Sequence, residues 1–102
     1  MKVVAFNGSP RVDGNTNDML RLALEPIEEA GHETELVQLA TRSLRGCIAC
    51  FKCAETQNGR CAIDDDGNEC IQKMLQADAI LLGSPTYFAD VTAEMKGLID
   101  RA

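Results

Sequence analysis

Two short apolar runs in this chain end in the same way. Val3-Val4-Ala5-Phe6 runs into Asn7-Gly8-Ser9-Pro10, and Ala79-Ile80-Leu81-Leu82 runs into Gly83-Ser84-Pro85. Uninterrupted apolar runs of this length belong to strands covered on both faces, as in a parallel sheet. Parallel strands need helical crossovers, and the intervening residues supply them. Met19, Leu20, Ala23, Leu24, Ile27 and Ala30 recur at helical spacing, with Asn15 and Thr16 as caps before them and Gly31 in the usual C-terminal position. Pro26 removes one helical hydrogen bond and is expected on the solvent side. Glu33 to Leu39 mixes polar and apolar residues and reads as an edge strand. A second, shorter helix, capped by Asp65 or Asp66, is expected to bury Cys70, Ile71, Met74 and Leu75. Strand, helix, strand, helix, strand is the pattern of right-handed βαβ units. The expected fold is therefore α/β, a doubly wound parallel sheet with strand order 2-1-3. Both Gly-Ser-Pro turns then emerge at the carboxyl edge, flanking the switch point where such sheets bind ligands.

Charge and composition remove several classes of function. Ten Lys+Arg against sixteen Asp+Glu give a net charge of −6. A nucleic-acid partner needs a basic face, and with 4% aromatic residues a base-stacking surface is equally unexpected. No apolar run reaches the roughly 18 residues of a membrane span, so no membrane partner is expected. Met1 to Gly8 reads as a first strand and not as a signal peptide. Five cysteines without a secretion signal point to reduced thiols and a cytoplasmic setting, hence to metal or redox chemistry before disulfides.

The first loop, Gly8 to Thr16, joins a strand to a helix N-terminus, where free N–H groups and the helix dipole favour an anion. Ser9, Asn15 and Thr16 add hydroxyl or amide donors and Arg11 adds charge. Five residues separate Gly8 from Gly14, and Asn15 stands where a triphosphate-binding loop needs lysine. No dinucleotide fingerprint is present either, so a single terminal phosphate fits best. The alternative is a plain turn and cap. The second loop, Ser84 to Asp90, carries Tyr87 and Phe88, half of the four aromatic residues in the chain. A flat conjugated ligand would stack there. Core packing is the alternative, and two loops converging on one edge favour the ligand.

Gly8-Ser9-Pro10-Arg11 with Gly14-Asn15-Thr16, Cys47-x2-Cys50-x2-Cys53 with Gly59-x-Cys61 before Asp64-Asp65, and Gly83-Ser84-Pro85-Thr86-Tyr87 together resemble the NAD(P)H-dependent FMN reductases of flavodoxin-like fold. Within them the chain is most similar to the iron–sulfur flavoproteins, over essentially all 102 residues. The resemblance implies FMN as cofactor and NAD(P)H as cosubstrate. It assigns Ser9, Arg11, Asn15 and Thr16 to the FMN phosphate, and Pro85, Thr86, Tyr87 and Phe88 to the ribityl chain and isoalloxazine. It also implies a homo-oligomer and a small-molecule or protein electron donor or acceptor.

Cys47, Cys50, Cys53 and Cys61 place four thiols in one compact segment, a spacing akin to ferredoxin ligand runs. The resembling flavoproteins use a similar set for a [4Fe–4S] cluster. Zinc also accepts four thiolates, although three cysteines this close suit a cubane better. A cluster-free reductase that keeps some of the cysteines is the third alternative. Cys70 sits at helical spacing among core residues and stands apart. Asp64-Asp65-Asp66 reads as capping, and His32 as a solvated residue after a helix end. No catalytic side chain is expected, because a flavin does the chemistry. A non-enzymatic electron shuttle and a zinc-stapled binding module are the readings from other classes.

The last helix is expected to start near Asp90 or Thr92, with Val91, Met95, Leu98, Ile99 and Ala102 at helical spacing and no stop signal by Ala102. Three strands are few where the flavodoxin-like order uses five. Residues 1–102 are thus expected to be a flavodoxin-like FMN-binding domain shortened at its C-terminal end, the N-terminal part of the fold.

Overall fold

The computed structural model describes residues 1–102. Strand β1 (Lys2–Asn7) is the centre of a three-stranded parallel sheet, flanked by β2 (Glu33–Gln38) and β3 (Ala79–Gly83) in the order β2-β1-β3. Phe6 stands beside Val37 on one side and Leu82 on the other. Val3 to Phe6 are all buried, which is why that run carries no polar residue.

Helix α1 (Asn15–Glu29) covers one face, packing Leu20 and Leu24 on Val3 and Ala5. After β2 come a 3₁₀ turn (Leu39–Thr41) and a five-residue helix α2 (Lys52–Thr56), which the spacing of apolar residues did not reveal. Helices α3 (Gly67–Gln76) and α4 (Ala93–Arg101) cover the other face. There Val4, Phe6, Val37 and Leu39 meet Cys70, Met95 and Leu98. The chain is thus the doubly wound α/β arrangement that the strand pattern implied, and the flavodoxin-like fold that the resemblance implied. No helix is long and apolar enough to cross a membrane.

Several local expectations hold and several do not. Pro26 lies inside α1 on its exposed side, and Gly31 follows the helix at φ +90°, a left-handed conformation glycine adopts without penalty. Asn15 and Thr16 do not cap α1. Gly14 occupies the capping position and contributes no side chain, so the first-turn N–H groups stay free. Leu75, expected to be buried, is 64% exposed, and Met19, on the apolar stripe of α1, is 71% exposed. The reason is geometric: a helix on a sheet buries only one stripe, and both residues sit on its flank.

The two sheet edges differ. On β2, Glu35 pairs with Lys2 at 3.7 Å and Lys73 at 2.5 Å. The Lys73 hydrogen bond holds the Glu35 carboxyl below its ordinary range, against the opposing effect of burial. Charged side chains on an edge discourage pairing with another chain. Strand β3 has no such protection, and Ile80 and Leu82 are 42% and 49% exposed.

Candidate functional site

The two Gly-Ser-Pro turns meet at the carboxyl edge and are tied together by hydrogen bonds. The Gly8 N–H donates to the Gly83 carbonyl at 2.8 Å. Thr92, fully buried, donates its hydroxyl to the Gly8 carbonyl at 2.6 Å and accepts from the Met95 N–H at 3.2 Å, capping α4. The Thr92 N–H in turn donates to the Ser84 hydroxyl at 3.0 Å. Both turn glycines are demanded by close packing. A Cβ on Gly8 would stand 2.8 Å from Met95 Cβ, and one on Gly83 would stand 2.8 Å from Leu20 Cδ1.

Buried amides set the path of the first loop. Asn7 Oδ1 accepts from the Ser9 N–H at 3.0 Å, and Asn7 Nδ2 donates to Gln38 Oε1 at 2.8 Å. The amides of Gln38 and Asn17 meet at 2.7 Å. Ser9 is buried, and its hydroxyl accepts from the Arg11 N–H at 3.1 Å. The side chains of Arg11, Asn15 and Thr16 form no hydrogen bond or ion pair within the chain, and Arg11 and Asn15 are exposed. A free cation, free polar side chains and a helix end without a side-chain cap therefore stand together. Such a donor set suits a phosphate dianion.

A groove of about 380 Å³ runs from this edge between α1 and β3, lined among others by Thr16, Leu82 and Ser84. The second loop extends from it. Pro85 is half-buried, Thr86 is exposed, and Tyr87 and Phe88 are exposed at 52% and 104%. Core packing of the two aromatics is thereby overturned. Phe88 and Ala89 adopt positive φ, at 47° and 63°, and Tyr87 and Asp90 bridge each other, so the loop folds back on itself and presents Phe88 outward.

The cysteines leave the sheet after β2. Cys47, Cys53 and Cys61 line one cavity of about 360 Å³ together with Arg60, Ile71, Leu75 and Arg101, while Cys50 lies outside that lining. No three His, Cys, Asp or Glu side chains converge at ligation distance. Ala49 and Phe51 have φ of 56° and 59°, so the backbone turns sharply between successive cysteines. Backbone N–H groups already meet sulfur: Ala49 to Cys47 at 3.4 Å and Ile63 to Cys61 at 3.5 Å. Cys70 is buried in the core, where burial pushes its thiol pKa up. The aspartates anchor the segment. Asp66 Oδ2 accepts from the Ser43 N–H at 2.6 Å, and Asp65 accepts from the N–H groups of Arg45 at 2.9 Å and Gly67 at 2.8 Å.

Arg101 was not legible as a site residue. It lies on the amphipathic helix α4, where an arginine usually meets solvent, yet its side chain is 1% exposed. Thr92 was legible only as a helix start; its bond to Gly8 spans 84 residues and has no local signature.

A family model described as NADPH-dependent FMN reductase matches residues 1–102. The chain is 49% identical over 102 residues to an iron–sulfur flavoprotein of Methanocaldococcus jannaschii, covering all of this chain and 52% of that protein. It is 36% identical over 102 residues to an iron–sulfur flavoprotein of Methanosarcina thermophila, again covering 52% of it. The chain spans about half the length of the curated relatives it matches. Among solved structures, an NAD(P)H:quinone oxidoreductase from Methanothermobacter marburgensis superimposes with a TM-score of 0.75 at 23% identity, covering 99% of this chain and 52% of that one. At that identity the likeness speaks for the fold. The match of the family model along the whole chain settles the lineage: the chain belongs to the NADPH-dependent FMN reductase family.

Proposed function

We propose that the chain forms the FMN-binding part of a flavin-dependent oxidoreductase, passing electrons between NAD(P)H or an iron–sulfur cluster and a small-molecule or protein acceptor. The observation that carries this reading is the junction at the carboxyl edge. Two loops are locked together by Thr92, beside a helix end without a side-chain cap, with Arg11, Asn15 and Thr16 unengaged. Arg11, Asn15 and Thr16 would take the phosphate, with the buried Ser9 hydroxyl shaping the turn through the Arg11 N–H. Pro85, Thr86, Tyr87 and Phe88 would border the flavin body, and Phe88 is placed to cover a planar ring. Bound FMN supplies both two-electron hydride chemistry and one-electron steps. The side chains bind, orient and exclude water, and none of them acts as an acid or base.

The cysteine segment supports a second redox group. Its four thiols fit the chemistry of a [4Fe–4S] ligand set, and two sulfurs already accept backbone N–H bonds of the kind that tune such clusters. Metal binding is coupled to the ordering of its loop, so drawing in Cys50 belongs to assembly. The iron–sulfur flavoprotein names of the relatives favour iron over zinc. Membership of an oligomer and a cytoplasmic setting are part of the same proposal.

Replacing Asn15 and Thr16 together with Ala should weaken FMN binding by about 1–3 kcal/mol, the cost of leaving polar partners unmet. A flavin titration of unchanged affinity would refute the phosphate assignment. Anaerobic iron and sulfide analysis decides the metal, since zinc without sulfide would displace the cluster reading.

A further inference from the structure

We infer that Arg101 is the positioning residue of the cysteine site: its guanidinium walls the sulfur cavity and orders the backbone after Cys61. Its Nη groups hold the Ile63 carbonyl and the Asp65 carboxylate, and its buried Nε has no partner in the chain. The inference rests on the proposal that the cysteines hold an iron–sulfur cluster.

Arg101 Nη1 donates to both carboxylate oxygens of Asp65 at 2.7 Å and to the Arg45 carbonyl at 3.0 Å. Nη2 donates to the Ile63 carbonyl at 3.3 Å. One guanidinium thereby fastens both borders of the cysteine segment, residue 45 before Cys47 and residues 63 and 65 after Cys61. Its Nε is the one buried side-chain polar atom of the chain without a partner. Native folds leave few such atoms, because each costs about 1–3 kcal/mol and more when charged.

The seat of the guanidinium is specific. It lies flat on Gly67, where a Cβ would stand 2.6 Å from Arg101 Cζ. Burial opposes its charge, but the hydrogen bond and charge of Asp65 outweigh that and hold it protonated. Of the other charges on the cavity, Asp100 is paired with Lys96 at 2.5 Å. Arg60 lies on the exposed lip. Arg101 is therefore the buried cation facing the thiols. A cubane with four thiolate ligands is anionic, and a nearby cation stabilises its reduced form. Arg101 also lies on the helix that Thr92 caps at the proposed flavin edge; nine residues at 1.5 Å rise place it about 13 Å along α4. A single rigid element thus links the two proposed redox sites.

The test uses the full protein reconstituted anaerobically with iron and sulfide, read by iron content and by the EPR-monitored midpoint potential. In Arg101→Gln the reduction equilibrium should shift at least tenfold against reduction, about 59 mV for a one-electron couple. Arg101→Lys should fall between that variant and the parent. Gly67→Ala displaces the guanidinium without removing its charge and should shift the potential in the same direction. It carries the test if Arg101→Gln does not fold. Loss of iron in folded Arg101→Gln, restored in Arg101→Lys, shows the same role at the binding step. A loaded parent whose potential is unmoved by Arg101→Gln and Gly67→Ala overturns the inference while the cluster proposal stands. A parent that takes up neither iron nor sulfide overturns both.

Discussion

Replacing Thr92 with Val keeps its shape and removes one oxygen. That oxygen donates to the Gly8 carbonyl at 2.6 Å and accepts from the Met95 N–H at 3.2 Å, at a fully buried position. Losing a helix cap costs about 1 kcal/mol. Leaving the Gly8 carbonyl unpaired in the interior costs about 1–3 kcal/mol more. The sum is about 2–4 kcal/mol, a large part of the stability of a domain this size. At roughly 4–8 °C per kcal/mol, the melting temperature should fall by about 8–32 °C. Thr92→Ser keeps both hydrogen bonds and loses one methyl group, worth about 1 kcal/mol. Urea unfolding and thermal melts of the three proteins, with an FMN titration of each, separate these contributions. FMN affinity should fall in Thr92→Val and survive in Thr92→Ser, because the hydroxyl's bond to Gly8 adds to the ties between the two loops. A Thr92→Val protein within 0.5 kcal/mol of the parent, or no less stable than Thr92→Ser, would refute the assignment of Thr92 as the tie between the loops.

Two further outcomes follow from buried groups. The Asp65 carboxyl is held low because hydrogen bonds from Arg101 and from the backbone of Arg45 and Gly67 outweigh the desolvation that would raise it. Its folded pKa lies below the unfolded one, so its contribution is complete above the unfolded value, near pH 4, and is lost as pH falls through the folded value. Asp65→Asn should therefore be less stable at neutral pH and show a flatter acid limb in urea unfolding between about pH 5 and 2; an unchanged limb would contradict the pairing. Cys70→Ser places a hydroxyl in the apolar core and should lose about 1–3 kcal/mol while keeping any bound iron, whereas serine at Cys47, Cys50, Cys53 or Cys61 should lose iron. Iron loss in the Cys70 variant alone would show that the ligand set is wrong.

Local periodicity determined most of the fold on its own. Val3 to Phe6 must be covered on both faces, which makes β1 central, and the charged pattern of Glu33 and Glu35 makes β2 an edge. The repeated Gly-Ser-Pro put both loops at the carboxyl edge, and their closure through Gly8 and Gly83 follows from the parallel register of β1 and β3. The spacing of the cysteines likewise separated Cys70 from the other four. Tertiary packing decided the rest. Asn15 and Thr16 have good capping chemistry, yet the chain enters α1 one residue earlier, at Gly14, and leaves them unengaged. Met19 and Leu75 satisfy helical spacing but lie beyond the stripe their helices press against the sheet. Thr92 to Gly8 and Arg101 to Asp65 join residues 84 and 36 positions apart. Such pairs leave no periodic trace, because what selects them is a buried carbonyl or carboxylate contributed by a distant segment, and that partner exists only once the chain has folded.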